Sequence, residues 1–112
     1  MWVMVAGPYT SGDAGPDVRA ANLAAMNQAA LALFDNGHLP VIGVNMALPV
    51  IAAAGEDQFD RLMMPISLGL ADRCDACLRV GGPSRGADDE VARFRAAGKP
   101  IYFRLEDVPP AR

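Results

Sequence analysis

The segment from Gly81 to Glu90 combines the residue types that hold a small anionic ligand, and it reads Gly-Gly-Pro-Ser-Arg-Gly-Ala-Asp-Asp-Glu. Its three glycines would let the backbone approach a ligand closely. A helix that begins at the end of this segment would direct its free amides to the same place and would favour negative charge there. The residues of this segment that we expect to contact a ligand are Gly82, Ser84, Arg85, Gly86 and Asp88.

Three acidic residues close the segment, namely Asp88, Asp89 and Glu90. Acidic side chains in the first turn of a helix complement the helix dipole, and this structural role accounts for the two aspartates. Glu90 is the candidate for chemistry, because a carboxylate can stabilise a developing positive charge or capture it covalently. We expect the helix N-terminus to keep Glu90 ionised, as a nucleophile requires.

A second candidate loop runs from Gly7 to Asp17, after an apolar run that ends in Gly-Pro. It offers hydroxyls and an aromatic ring, but neither the G-x-G-x-x-G spacing of a dinucleotide-binding turn nor the Gly-Lys-Ser/Thr of a P-loop. A plain turn between a strand and a helix is an equal alternative. The candidate ligand contacts are Gly7, Tyr9 and Thr10, together with Arg19, which either meets a phosphate or lies in solvent.

The elements that would position these loops alternate between strand and helix. Strands are predicted at 2–6, 39–44, 76–80 and 100–104, and helices at 17–36, 58–73 and 87–97. Asp17 is expected to cap the first helix, and 45–55 is ambiguous. Residues 105–112 are expected to form a tail or a short last turn. This order predicts one α/β domain over residues 1–112, with a flavodoxin-like or Rossmann-like open parallel sheet of four to five strands and helices on both faces. Ligands of such sheets bind beyond the carboxyl ends of the strands, where both candidate loops lie.

Composition narrows the class of protein. The 112 residues are 52% hydrophobic and carry a formal net charge of −3. Proteins that bind nucleic acids usually carry a basic face, so we expect no nucleic-acid partner. No apolar run approaches the roughly 20 residues that span a bilayer, and no basic leader precedes the first one. We therefore expect a cytoplasmic protein without a membrane partner.

Cys74 and Cys77 form a C-x-x-C pair. A redox dithiol normally sits at the start of a helix, whereas this pair runs into a predicted strand. A zinc site would need two more ligands, and His38 is the one histidine of the chain. We therefore expect structural thiols, and neither a metal nor a cofactor. His38 is expected to interact with the C-terminal end of the first helix, with ligand contact as the alternative.

Several short motifs together resemble the nucleoside 2-deoxyribosyltransferase-like superfamily, over roughly residues 3–103. They are Ala6-Gly7-Pro8-Tyr9, Arg19 with Asn22, Gly37-His38-Leu39-Pro40, Cys74-Asp75-Ala76, and Ser84-Arg85-Gly86-Ala87-Asp88-x-Glu90. The last motif is the most specific of the set. The resemblance implies a flavodoxin-like sheet, a homo-oligomer such as a dimer, and cleavage of the N-glycosidic bond of a nucleoside or nucleotide.

The resemblance also implies roles for individual residues. By position, Glu90 would attack the anomeric carbon of the sugar, and Ser84 would help to hold a 5′-phosphate. The first loop would cradle the same ligand through Gly7, Tyr9 and Thr10. Water as the acceptor gives hydrolysis and a second base gives transfer; because the sequence ends soon after the fourth predicted strand, we expect a hydrolase rather than a transferase.

Two positions depart from the family pattern. Met4 stands where the family has a tyrosine that orients the nucleophile, and Ser67 lies near the position of an aspartate that serves the leaving base, while Asp60 and Asp72 are out of register. A catalytically silent protein that binds a nucleotide or sugar phosphate is therefore the alternative. The Gly-Gly-x-x-x-Gly-x-x-x-Glu pattern is also distantly similar to the loop of phosphoribohydrolases, although its spacing differs.

Overall fold

The structure of the chain is a computed structural model that describes residues 1–12 and 14–111. In it, strands and helices alternate along the chain. The strands are β1 (Trp2–Ala6), β2 (Leu39–Val41), β3 (Ala76–Arg79) and β4 (Ile101–Tyr102). The helices are α1 (Pro16–Asp35), α2 (Gly43–Ala54), α3 (Phe59–Ala71) and α4 (Arg85–Ala96), with short 3-10 turns at Glu56–Gln58 and Leu105–Asp107. All neighbouring strands pair in parallel in the order β2-β1-β3-β4. The predicted open parallel α/β sheet is confirmed.

Two apolar cores cover the two faces of the sheet. On one face, Val3 and Val5 of β1 pack with Met26 and Leu33 of α1. On the other face, β1 and β3 pack against the inner sides of α3 and α4, where Phe94 is fully buried. Because successive side chains of a strand point to opposite faces, a continuous apolar strand such as β1 needs helices on both sides.

Several boundaries differ from the prediction. Strand β2 ends at Val41, and the ambiguous stretch forms α2, because its aliphatic residues pack on α3 with Ala47 and Ile51 buried. Helix α3 continues through Pro65. Helix α1 has Gly15 at its N-cap and Pro16 in its first turn, so Asp17 lies inside the helix rather than capping it. Proline suits that position because the first-turn amide has no helical partner.

The predicted C-terminal tail packs on the domain. Val108 is buried, and the Ala111 amide donates to the carbonyl of Asn36 at 2.9 Å. Nε2 of buried His38 lies 2.7 Å from the carbonyl of Pro109, while its Nδ1 lies 3.1 Å from the main-chain nitrogen of Met1. A carbonyl only accepts, so Nε2 carries the proton and His38 joins the two ends of the described chain. Residue 112 of the predicted tail lies outside the described residues.

Among residues 1–12 and 14–111, no helix has the length and apolar character that crossing a membrane requires.

Candidate functional site

A cavity of about 450 Å³ opens at the carboxyl ends of β1 and β3. The chain leaves β1 for β2 on one side and leaves β3 for β4 on the other, so this edge is the switch point of the sheet. Connections that diverge there leave a crevice between the two loops, and this crevice is the usual ligand position in an open α/β sheet. The two loops also contact each other: Gly81 has φ +77°, and a Cβ at this glycine would lie 2.7 Å from Cδ of Pro8.

Seven of the ten residues that we predicted as catalytic or ligand-contacting line this cavity. They are Gly7, Tyr9, Thr10, Ser84, Arg85, Gly86 and Glu90. The fold thus brings together residues more than 70 positions apart in the sequence. The structure describes where these seven residues lie. Their role in binding or catalysis stays a prediction.

The other three predicted contacts lie outside the cavity. The carbonyl of Gly82 and the carboxylate of Asp88 both face Arg79, on the other side of the α4 N-terminus. Arg19 lines a smaller neighbouring hollow, where its Nε donates to the carbonyl of Ala14 at 2.8 Å and its guanidinium lies 5.9 Å from the centre of the Tyr9 ring. Together with Asn22, which donates to the carbonyl of Tyr9 at 3.1 Å, Arg19 holds the first loop in place.

Helix α4 begins at Arg85, two residues earlier than predicted, because Ser84 caps it. The Ser84 hydroxyl oxygen accepts from the amide of Ala87 at 3.1 Å, and the carbonyl of Ser84 accepts from the amide of Asp88. Within the described residues, the amides of Arg85 and Gly86 have no hydrogen-bond acceptor. Free amides at a helix start attract anions, and the Arg85 guanidinium beside them adds a positive charge.

Glu90 is the buried carboxylate of the cavity, with 8% of its surface exposed. No hydrogen bond or ion pair joins its carboxylate to another described residue. Burial raises its pKa from an ordinary 4.5 to about 8; Arg79 lowers this pKa and Asp89 raises it, both by smaller amounts. The expectation that the helix N-terminus keeps Glu90 ionised is therefore wrong at neutral pH. Glu90 lies in the second turn of α4, whereas the dipole acts within the first.

The wall opposite α4 was missing from the predicted site. It comes mainly from α3 and is formed by Val44, Phe59, Asp60, Met63, Met64 and Ser67. Asp60 is exposed at the rim, while Ser67 is buried and its hydroxyl lies 4.0 Å from the sulfur of Met63. Asp60, Met63, Met64 and Ser67 are three or four residues apart, a spacing that indicates a shared helix face. No pattern in the sequence predicts that this face meets the two loops.

Met4 does not supply the hydroxyl that the family tyrosine would provide. Its side chain is fully buried in the core beneath α4, in the same cluster as Cys77 and Phe94. The predicted structural role of the cysteines is confirmed, since Cys74 and Cys77 are both buried free thiols. Burial raises the pKa of Cys74 to about 11 and that of Cys77 to about 12, which keeps both thiols neutral.

No protein-family model and no curated protein matches this chain. Its function is therefore proposed from the geometry of its own residues. Within the described part of the chain, no cluster of three or more His, Cys, Asp and Glu side chains is arranged to hold a metal ion.

Proposed function

We propose that the protein is an N-glycosidase that hydrolyses the bond between the base and the (deoxy)ribose of a nucleoside or nucleoside 5′-phosphate, with Glu90 as nucleophile. The observation that carries this proposal is a buried carboxylate that faces a ligand-sized cavity and has no hydrogen-bond partner among the described residues. No fully buried side-chain oxygen or nitrogen of the described residues lacks a partner, so the oxygens of this carboxylate stay open to the cavity and to a ligand. A carboxylate that has no partner inside the protein, and that burial holds near its protonation midpoint, is typical of a functional group.

Two parts of the cavity lining suit two parts of such a ligand. The free amides at the start of α4 and the guanidinium of Arg85 offer donors to a 5′-phosphate. The lining from α3 offers the ring of Phe59 and the thioether of Met63, against which a planar base can stack. Glu90 lies on the α4 side of this space, where the sugar of a ligand bound in this way would pass.

The proposed reaction proceeds in two displacements. The Glu90 carboxylate attacks the anomeric carbon as the bond to the base breaks, and the base leaves with the bonding electron pair and takes up a proton from solvent. Water then attacks the same carbon and breaks the bond to Glu90, which releases the sugar and restores the carboxylate. The attacking water returns one proton to solvent, which balances the proton taken up by the base. Both transition states resemble an oxocarbenium ion, which a neighbouring negative charge stabilises.

The pH dependence of the reaction follows from the burial of Glu90. With a pKa of about 8, roughly one molecule in ten carries an ionised Glu90 at pH 7. Because a nucleophile acts in its ionised form, we expect kcat/KM to rise as pH increases from 6 and to level off above pH 8. The negative charge of a bound phosphate would raise the pKa of Glu90 in the complex. It would therefore move the rise of kcat, which reports the complex, to higher pH, so the kcat profiles of a nucleoside and its 5′-phosphate should be compared.

The experiment is to incubate the protein at high concentration with a panel of nucleosides and nucleotides at pH 8.5 and to measure free base by chromatography. Glu90→Gln keeps the size of the side chain and removes the nucleophile, so base release should fall at least a hundredfold. Glu106→Gln, on an exposed turn outside the cavity, is the matched control and should release base like the wild type. Equal release by Glu90→Gln and the wild type would contradict the proposal.

A protein that binds the ligand without turnover is the second candidate function. The observations that favour it are a Glu90 largely protonated at neutral pH and the absence, among the described residues, of a hydroxyl group hydrogen-bonded to its carboxylate. Under this alternative, a nucleotide raises the melting temperature of the wild type and of Glu90→Gln alike, and no base appears. If no nucleotide stabilises the protein, both candidate functions are wrong.

We also propose that the protein works as a homodimer whose interface includes the outer face of α2. Met46 and Val50 are 55% and 41% exposed on this face, together with Pro49 and Ala53 at the same helical spacing. Asp35 is the one Asp, Glu, Lys or Arg between Ala20 and Gly55, so this face carries no charge. Two copies can meet through an uncharged apolar face without like-charge repulsion, which favours a second copy of this chain as the partner.

A further inference from the structure

Arg79 is a nearly buried charge that the proposed reaction does not use. It ends β3 and pairs in register with Ala6, on the side of the sheet that faces α4. Its side chain is only 11% exposed. Burying a guanidinium costs free energy unless its donors are satisfied, so its partners indicate its purpose.

The partners of Arg79 all belong to the loop after β3 or to α4. One terminal nitrogen donates to the carbonyl of Val80, and the other donates to the carbonyl of Gly82 at 2.9 Å and reaches Asp88 Oδ1 at 3.4 Å. The rigid, planar fork of an arginine can reach several acceptors at once, whereas a lysine offers a single flexible ammonium. Arg79 thus ties both sides of the turn that leads to Ser84 onto the first turn of α4.

We propose that Arg79 is a positioning residue of the candidate site: its guanidinium clamps the Val80–Gly82 turn to the first turn of α4 and sets a nearly buried positive charge beside the helix that carries Glu90. The clamp fixes the place where α4 starts, and therefore the direction of its free amides. No hydrogen bond joins Arg79 to Glu90 among the described residues, so the charge of Arg79 acts on that carboxylate through space. The role of Arg79 in catalysis rests on the proposed function. The contacts of Arg79 and the experiment that tests them do not require turnover.

Several other groups face Glu90 from the surrounding elements. Asp89 of α4 opposes ionisation of Glu90, and the thiol of Cys77 on β3 stays neutral. Asp60 of α3 and Arg85 of α4 line the same cavity, and both are exposed, so water screens their charges. Arg79 is the cation that lowers the pKa of Glu90 against the larger effect of burial.

The test is a carboxyl titration by NMR of the full-length protein labelled at the glutamate side-chain carbonyl carbon. The chain has three glutamates, Glu56, Glu90 and Glu106, and Glu90→Gln identifies the resonance of interest by its loss. In Arg79→Met, we expect the Glu90 midpoint to move upward by about one pH unit or more, as removal of a nearby opposite charge predicts. The midpoints of Glu56 and Glu106 should not move, and they serve as internal controls.

Arg79→Lys separates the charge from the clamp and remains informative if Arg79→Met fails to fold. A lysine keeps the charge but cannot reach all three acceptors, so we expect a smaller change at Glu90 and at least tenfold faster amide hydrogen exchange from Gly81 to Ala87. An unchanged Glu90 midpoint in Arg79→Met, or unchanged exchange in Arg79→Lys, would overturn the proposal. Neither measurement uses a substrate, so a failure of the proposed hydrolysis would leave this result standing, and the reverse also holds.

Discussion

Burial gives Glu90 the property that most distinguishes it from the other acidic residues that the structure describes. The carboxylate loses water because it is buried in the cavity wall, and the nearby guanidinium of Arg79 does not fully replace that water. A buried carboxylate of this kind lowers the stability of the fold when it ionises. Such carboxylates are typical of functional sites. Burial raises the pKa of Glu90, so most molecules hold it protonated at pH 7. Because that pKa lies close to neutral pH, a small change in its surroundings alters the charge of Glu90.

Glu90→Gln should stabilise the protein increasingly as pH rises. Between pH 4.5 and 8 the folded state holds a proton on Glu90 that the unfolded chain releases, so stability of the wild type falls with increasing pH across this window. The cost approaches about 3 to 5 kcal/mol above pH 8, and glutamine does not incur it. Urea denaturation at pH 5 and pH 8.5 measures the difference. Parallel stability curves for wild type and variant would show that Glu90 ionises normally.

At the scale of elements, the start of α4 serves the fold and the candidate site with the same atoms. The Ser84 oxygen accepts from the amide of Ala87, which leaves its hydroxyl proton free to donate into the cavity. A serine with this geometry has a complete structural explanation as an N-cap. Its proposed contact with a phosphate therefore needs a measurement that separates the two roles.

Replacing Ser84 by alanine and by glycine separates capping from ligand contact. Alanine should cost about 1 kcal/mol of stability, whereas glycine, a tolerated N-cap, should cost only a few tenths. Both variants remove the hydroxyl from the cavity, so both should weaken nucleotide binding to a similar degree. Denaturation midpoints and nucleotide-dependent melting shifts give the two readouts. Wild-type affinity in Ser84→Gly would assign Ser84 to the fold alone.

Helices α2 and α3 meet closely enough to require a glycine. A Cβ at Gly43 would lie 2.3 Å from Oγ, 2.8 Å from Cβ and 3.0 Å from Cα of Ser67, which leaves no room for a methyl group. This contact sets the distance between α2 and the helix that forms the far wall of the cavity. A residue with no chemistry of its own thus helps to set the shape of the site.

Gly43→Ala should destabilise the protein by about 1 to 3 kcal/mol through overpacking. Gly69→Ala, inside α3, is the matched control, because its Cβ would have no neighbour within 4 Å. That second variant should gain about 0.5 to 1 kcal/mol from higher helix propensity. Urea midpoints of the two variants, compared with that of the wild type, should move in opposite directions. A shared direction would show that α2 and α3 pack less closely than described.

At the scale of the whole molecule, charge is distributed unevenly along the chain. Asp35 alone interrupts the uncharged stretch from Ala20 to Gly55, while the remainder carries charges of both signs on α3, α4 and the loops. The uncharged stretch contributes α2 and most of α1, which touch through a 2.8 Å hydrogen bond between Asn45 and Asn27. An exposed surface without charges is costly to solvate and is typical of an interface.

Sedimentation of the wild type should give a dimer, and the double variant Met46→Glu, Val50→Glu should give a monomer. Two glutamates on each copy would bring like charges together and would remain solvated only in the separated chains. Both positions are exposed, so the melting temperature of the monomer should change little apart from the loss of association. Ala92→Glu, at an exposed position of α4, is the control and should stay dimeric. A monomeric wild type would overturn the proposed interface.

The class of fold and the place of the candidate site could be predicted from the residues alone. The apolar run of β1 had to be buried on both faces, and the alternation of strands and helices left few topologies apart from an open parallel sheet. Both candidate loops follow strands in that alternation, so their meeting at one edge was predictable. The boundaries of α2 were not, because its aliphatic residues satisfy strand and helix patterns alike until packing against α3 selects the helix.

The neighbours of each charged residue depend on how the elements pack, and they could not be predicted from the sequence. Asp88 and Glu90 are two positions apart on one helix, yet Asp88 faces solvent and Arg79 while Glu90 faces the cavity, because a helix turns 100° for each residue. The protonation of Glu90 likewise depends on how much water α3 and the first loop exclude, and that is a property of packed surfaces rather than of sequence neighbours. The segment from Gly81 to Glu90 thus supplied the chemical groups, and the packing around it determined their charges.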